Sequence, residues 1–441
     1  MQQRVADEGV GSAYGHTLYG YPYLRSDRFL ASFRMELDTK LHRKQWYQQL
    51  WRLAYQTRQQ ELDNLTQAFT GEERESIEAC LLRLAANDLT RPEMFDQLQR
   101  QSKVPSAYSS GYRILGLYPL TRLPVMRVIS NEQATWNLAF NNPMFLKGEY
   151  RSYTPPVATT IDPFTIAQWL QEGRARSALG IPDLNPEQLD QLFRLYAPSW
   201  RLYYQSDADQ IGTVVIVNDV PEVNTQRASV YLLPSYTRFK GDVLLQLNYM
   251  VWFPERVAES RFDPYSGELD GLIWRVTLTT EGKVLAYDSI HPCGCYHKVF
   301  PVADAIVVSP QVEINRVYQE QPQILHRELP LQEAGPVQIH LYSGSHYVVG
   351  LKVHKPSSDD KTLNLLSSQE LHSLPGNSGN QSLYSSRGLV PQSQRTEQYF
   401  LWPMGVPSAG AMRQWGHHAI SFTGNRHFDD PFLLENFFEY R

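Results

Sequence analysis

Cysteine is scarce here, with three residues in 441. A disulfide-stapled scaffold needs many paired cysteines, so that class is excluded. Long apolar runs are also missing: no window approaches the roughly 18–20 residues that cross a bilayer, so no transmembrane segment is expected. The stretch Met1 to Gly11 is polar and lacks the apolar core of a secretory signal. As given, the chain reads as soluble and cytoplasmic. A periplasmic or envelope location follows if a signal has been removed or the true start lies elsewhere. Concentrated positive charge is absent too: the formal net charge is -5 with both signs scattered. Nothing resembles the basic stripe that tracks a phosphate backbone, so nucleic acid is not an expected partner.

What is present is ordinary globular material, 42% hydrophobic and 20% charged, far from a disordered composition. The length exceeds what one core usually organises. The expected fold class is α+β, a helical N-terminal part followed by a β-rich, mainly antiparallel C-terminal part. Three regions are expected: 1–110 helical, 111–199 mixed and Pro-rich with two helices, and 200–441 antiparallel β with a flexible insertion at 355–398.

From Asp27 to about Phe69, apolar positions such as Trp46, Leu50 and Leu53 recur at helical steps. Thr70-Gly-Glu-Glu73 is a capping box that opens a second helix over about 72–88. Cys80 falls in the amphipathic pattern of that helix and reads as a buried apolar residue. Prolines at 105, 119, 124 and 143 mark Ser106 to Pro156 as irregular connecting structure. Helices are expected again from Asp162 to Glu172 and from Asn185-Pro-Glu-Gln188 to about Tyr196.

Beyond Trp200 the period turns to two. Strands are expected at Val230 to Leu233, Val243 to Phe253, Leu272 to Leu278 and Val284 to Ile290, with a hairpin turn at Glu281-Gly282. Gln338 to Tyr342 and Tyr347 to His354 form a further pair. Lys355 to Gln398, rich in Ser, Asn and Gly, reads as surface loop.

The best chemical lead is His291-Pro292-Cys293-Gly294-Cys295-Tyr296-His297, four soft or borderline metal donors within seven positions. Imidazole and thiolate suit zinc or iron. A straight strand would part the two histidines by roughly 20 Å, at about 3.3 Å per residue. A shared metal therefore needs a bend, and Pro292 and Gly294 are the residues to make one. Donors from elsewhere are expected among His417, His418 and His427, with Asp288, Asp429 or Asp430 holding the outer ring nitrogens.

The expected function is thus a metalloprotein with a zinc or iron site. An open coordination position would make it an enzyme, whereas a closed shell would make it structural. One alternative is a non-catalytic β-sheet binding or cell-envelope protein that uses its aromatic surface. Another is a thiol–disulfide redox element at Cys293 and Cys295, whose small ring would be strained. No particular small-molecule or protein ligand is singled out.

Weaker patterns read as structural. Gly405-Val-Pro-Ser408 misses the nucleophile-elbow spacing by one residue. Asp263, Glu268 and Asp270 do not follow the EF-hand pattern and read as a solvated turn. His427-x-Asp429 lacks the later histidine of an iron-oxygenase site, so the acidic pair Asp429-Asp430 reads as the cap of a helix towards Phe438.

Overall fold

The structure, a computed structural model, describes residues 1–88, 91–142, 144, 148–156, 160–302, 305–310, 312, 319–325, 337–353 and 356–440. It is α+β. Nine of its described helices precede residue 200: α1 (Gln2–Asp7), α2 (Arg28–Ser32), α3 (Lys40–Asp63), α4 (Gly71–Asp88), α5 (Pro92–Gln101), α6 (Ser110–Leu115), α7 (Tyr118–Ala139), α8 (Pro163–Arg176) and α9 (Pro186–Tyr196). A short α10 (Gln398–Leu401) comes later.

Helix starts follow their side-chain caps. Asp27 accepts from Leu30 and Thr39 from His42, so the Asp27–Phe69 periodicity resolves into two helices. Thr70 and Glu73 make the reciprocal capping box, as do Asn185 and Gln188.

Beside four two-stranded sheets among the described residues, two larger sheets carry most of the rest. In chain order their strands are β1 (Tyr150–Thr154), β2 (Ser199–Tyr203), β3 (Ser229–Phe239), β4 (Asp242–Arg256), β5 (Gly267–Leu278), β6 (Val284–Ile290), β7 (Lys298–Pro301), β8 (Gln323–Ile324), β9 (Val337–Leu341), β10 (Val348–Val353), β11 (Lys361–Thr362) and β12 (Asn364–Ser367). The seven-stranded sheet runs β8-β7-β6-β5-β4-β3-β12 and the five-stranded sheet β10-β9-β2-β1-β11. Hairpin neighbours pair antiparallel, while the edge strands β8, β11 and β12 pair parallel, as does β9 with β2. The 199/200 region boundary falls inside β2.

The long sheet is buried on both faces, so β4 reads as a continuous buried run from Val243 to Phe253 instead of an alternation. Leu245, Leu247, Tyr249 and Val251 face the five-stranded sheet together with α8 and α9. Leu244, Met250 and Trp252 face the opposite way, onto the C-terminal chain from Leu371 to Phe438. Each fully buried aliphatic side chain there contributes roughly 1.5–3 kcal/mol.

Several expectations are corrected. Ser106 to Pro156 is not irregular, because α6 and α7 occupy most of it. Pro119 sits in the first turn of α7, where an amide has no helical partner to lose, and Pro124 is accommodated inside the helix. The described part of Lys355 to Gln398 is not a flexible loop. It adds β11 and β12 to the sheets and buries Leu371, Leu374, Leu383 and Val390, and the amide of Asn64 donates to the His372 carbonyl. A few well-placed apolar residues anchor it despite the polar composition. Cys80 is exposed, since only Leu81 and Ala85 of α4 are buried. Asp430 caps a run of turns and not a helix. His354 lies outside the described residues.

Candidate functional site

The His291–His297 segment is the loop of the β6–β7 hairpin. Pro292 presets the turn, and the Gly294 N–H donates to the His291 carbonyl at 2.8 Å. The His291 N–H donates to the Cys295 carbonyl at 3.1 Å. Gly294 has φ 96, and a Cβ there would stand 2.3 Å from the Ala419 carbonyl oxygen, so glycine is required twice over. The expected bend is therefore made. Its effect is to bring Cys293 and Cys295 together, with the Cys295 N–H donating to the Cys293 sulfur at 3.4 Å.

The same bend turns the two histidines apart. His291 Nδ1 lies 3.5 Å from Asp270 Oδ1, and its Nε2 is buried with no hydrogen-bond partner. His297 Nε2 lies 3.1 Å from Asp288 Oδ2, a carboxylate also gripped by Arg275 Nε at 2.8 Å. Burial lowers the pKa of both imidazoles.

The second His-rich segment does touch the first, but through backbone and apolar contacts. Arg413 N–H donates to the Pro292 carbonyl, and Ala419 packs on Gly294. His417 Nε2 sits 3.0 Å from the Ala13 carbonyl, and His427 Nε2 accepts the Ala107 N–H at 2.9 Å. His418 lies between Trp415 and Phe428 with neither ring nitrogen hydrogen-bonded. Burial lowers His427 to about 4 and His418 to about 3. Asp429 pairs with Arg28 at 2.9 Å. Among the described residues, no group of three or more His, Cys, Asp or Glu is placed to hold a metal ion.

Cys295 instead opens onto a cavity of about 230 Å³ between the hairpin loop, the inner face of α7 and the chain around Ser421. Its apolar walls come from residues such as Val125, Ile129 and Trp136, and its ionisable lining includes Cys295, His297, Lys298, Glu132, Glu320 and Glu397. Burial pushes Glu320 and Glu397 up to about 7 and Lys298 down to about 7. Lys298 Nζ donates to the Val348 carbonyl at 3.0 Å and faces the Tyr347 ring. A side-chain hydrogen bond with Cys293, together with burial, holds the Cys295 thiol well above its usual range.

Two buried guanidiniums border the sulfur pair. Arg413 donates to the carbonyls of Cys293, Pro407 and Ser408, and Arg395 to those of Glu268 and Leu269. Arg413 faces both sulfurs, whereas Arg395 faces Cys293 together with the Asp270 and Glu397 carboxylates. Ser408 itself lies in a left-handed turn with φ 49, as its Pro-rich surroundings suggest.

Sequence reasoning missed a buried network behind the loop. His346 Nδ1 lies 2.6 Å from Asp270 Oδ2, and its Nε2 lies 3.5 Å from Asp209 Oδ1. Burial opposes its charge, yet the two carboxylates raise its pKa. Asp209 also takes the Ser343 hydroxyl and the Gly344 N–H, both at 2.7 Å. Asp270 is thus a buried strand residue and not part of a solvated turn; Asp263 does the turn's capping. One signal was available: acidic Asp270 stands directly before the apolar strand run from Leu272. Its partner His346, by contrast, lies 76 residues away.

The described helices include none long and apolar enough to cross a membrane. No family model, curated protein or solved structure matches this chain.

Proposed function

We propose that this protein carries out thiol–disulfide exchange through Cys293 and Cys295. The observation that supports it is the turn that sets the two sulfurs side by side while opening Cys295 to a cavity. Glu397, on the same cavity wall and ionised above about 7, would take the Cys295 proton against the hydrogen bond with Cys293 that holds the thiol up. The charge of Arg413 then stabilises the thiolate.

The exchange balances without a further cofactor. The Cys295 thiolate attacks one sulfur of a substrate disulfide, the substrate S–S bond breaks, and the leaving sulfur departs as a thiolate. Cys293, deprotonated in turn, attacks Cys295 and closes the internal disulfide, releasing the second substrate thiol. Two electrons and two protons pass to the substrate, and a dithiol of another molecule resets the pair.

The test is equilibration of the Cys80→Ser protein in glutathione buffers of graded poise, followed by thiol counting and mass spectrometry. The expected result is a reversible internal disulfide between Cys293 and Cys295. Two free thiols at every poise would reject the function.

A metal reading keeps one favourable observation. His291 is held at Nδ1 by Asp270 with Nε2 left open, the arrangement that metal-binding imidazoles use. It would need donors that do not converge among the described residues.

A further inference from the structure

Helix α7 is unusual in having one buried residue, Ala139, in its described length. A surface helix normally turns its single apolar stripe inward. Here the inner stripe of Val125, Ile129 and Trp136 lines the cavity, yet the opposite side is apolar as well. Leu120 and Leu123 are each more than half exposed, as are Ile114, Leu115 and Leu117 just before them.

The patch extends onto α10, where Tyr399 and Phe400 are about 70% exposed. It is continuous: the Trp402 ring stands 6.1 Å from that of Tyr112, and Gly116 is so close to Pro403 that a Cβ would meet its Cα at 2.6 Å. Residues 112–128 and 398–403, which build the patch, contain no Asp or Glu, in a chain that has 46. Arg127 is exposed beside Leu123 and Val128.

We infer that this face seats the protein on an anionic lipid surface. Aliphatic side chains projecting from a helix that lies flat, aromatic residues beside them and exclusively basic charge are what an interfacial helix needs. A second copy of the same face would bring like charges together, which argues against self-association. The seat is independent of the thiol chemistry, although it sets the cavity-lining helix at the membrane.

The test is flotation of the full chain with vesicles of phosphatidylcholine alone and of phosphatidylcholine mixed with phosphatidylglycerol. Binding is expected to the mixed vesicles, weakening with salt, and falling more than about tenfold in Leu120→Glu/Leu123→Glu. Phe400→Ser, on a separate element, should weaken it too and serves if the double variant misfolds. Any of three results would overturn the inference: no flotation with anionic vesicles at low salt, equal binding to neutral ones, or a dimer in solution that the double variant dissociates while vesicles go unbound.

Discussion

The backbone N–H of Cys295 donates to the sulfur of Cys293 across 3.4 Å, so the two thiols sit on one turn with only Cys295 facing the cavity. Under the proposed exchange, that asymmetry makes Cys295 the attacking thiol and Cys293 the resolving one. In a Cys80→Ser background, Cys293→Ser should accumulate a glutathione mixed disulfide on Cys295, while Cys295→Ser should accumulate far less on Cys293. Peptide mapping by mass spectrometry reads the difference; equal labelling would remove the assignment.

Cavity protonation has a definite sign. Glu320 and Glu397 rise from 4.5 to about 7, so the stability they contribute is full below about 4.5 and is lost as pH rises through about 7. Lys298, lowered from 10.5 to about 7, contributes stability above about 10.5 that is lost as pH falls through about 7. Glu320→Gln/Glu397→Gln should flatten the decline in thermal midpoint between about pH 5 and about pH 8, and Lys298→Met should raise the midpoint on the acid side. Midpoint curves parallel to the parent's would contradict these environments.

Thiolate supply should follow the contact with Cys293. Iodoacetamide alkylation of Cys295 is expected to set in only above the usual thiol range in the parent, because the hydrogen bond with Cys293 and burial hold its proton, and to set in at lower pH in Cys293→Ala. Fast alkylation of the parent at neutral pH would contradict that environment.

Gly294→Ala forces a side chain into left-handed backbone and against the Ala419 carbonyl. A loss of at least about 2 kcal/mol is expected in denaturant unfolding. A loss below about 0.5 kcal/mol, the range of surface substitutions, would mean that the loop and the C-terminal chain are not in this contact.

Asp270→Asn removes the closer carboxylate from His346 and the partner of His291. Breaking one side of a buried charge pair costs about 3–5 kcal/mol. Asp270 is held well below its usual range by His291 and His346 against the cost of burial. Its contribution is therefore present above about 3.8 and lost as pH falls, and the variant should differ from the parent most near neutral pH. A variant matching the parent there would discount the network.

The strands at Val243 to Phe253, Leu272 to Leu278 and Val284 to Ile290 were legible because β-branched and aromatic runs bounded by turn residues express a local preference. Capping boxes at Thr70 and Asn185 were legible for the same reason, since donor and acceptor lie three residues apart. Proline misled at 119 and 124: its penalty depends on where the helix begins, which the residues around Leu117 decide. The polar 355–398 stretch misled because a few anchoring leucines outweigh composition once a sheet edge is there to receive them.

By itself the sequence determined the α+β class, the order of the main strands and the bend at Pro292 and Gly294, all consequences of short-range sterics and hydrogen bonding. Only the tertiary structure decided what that bend achieves. It turned His291 and His297 onto Asp270 and Asp288, sent His417 and His427 to backbone groups of the N-terminal half, and left Cys295 facing a cavity with Glu320 and Glu397. Those pairings join residues as much as 404 positions apart, and their chemistry comes from burial, which exists only once the sheets and helices have closed over them.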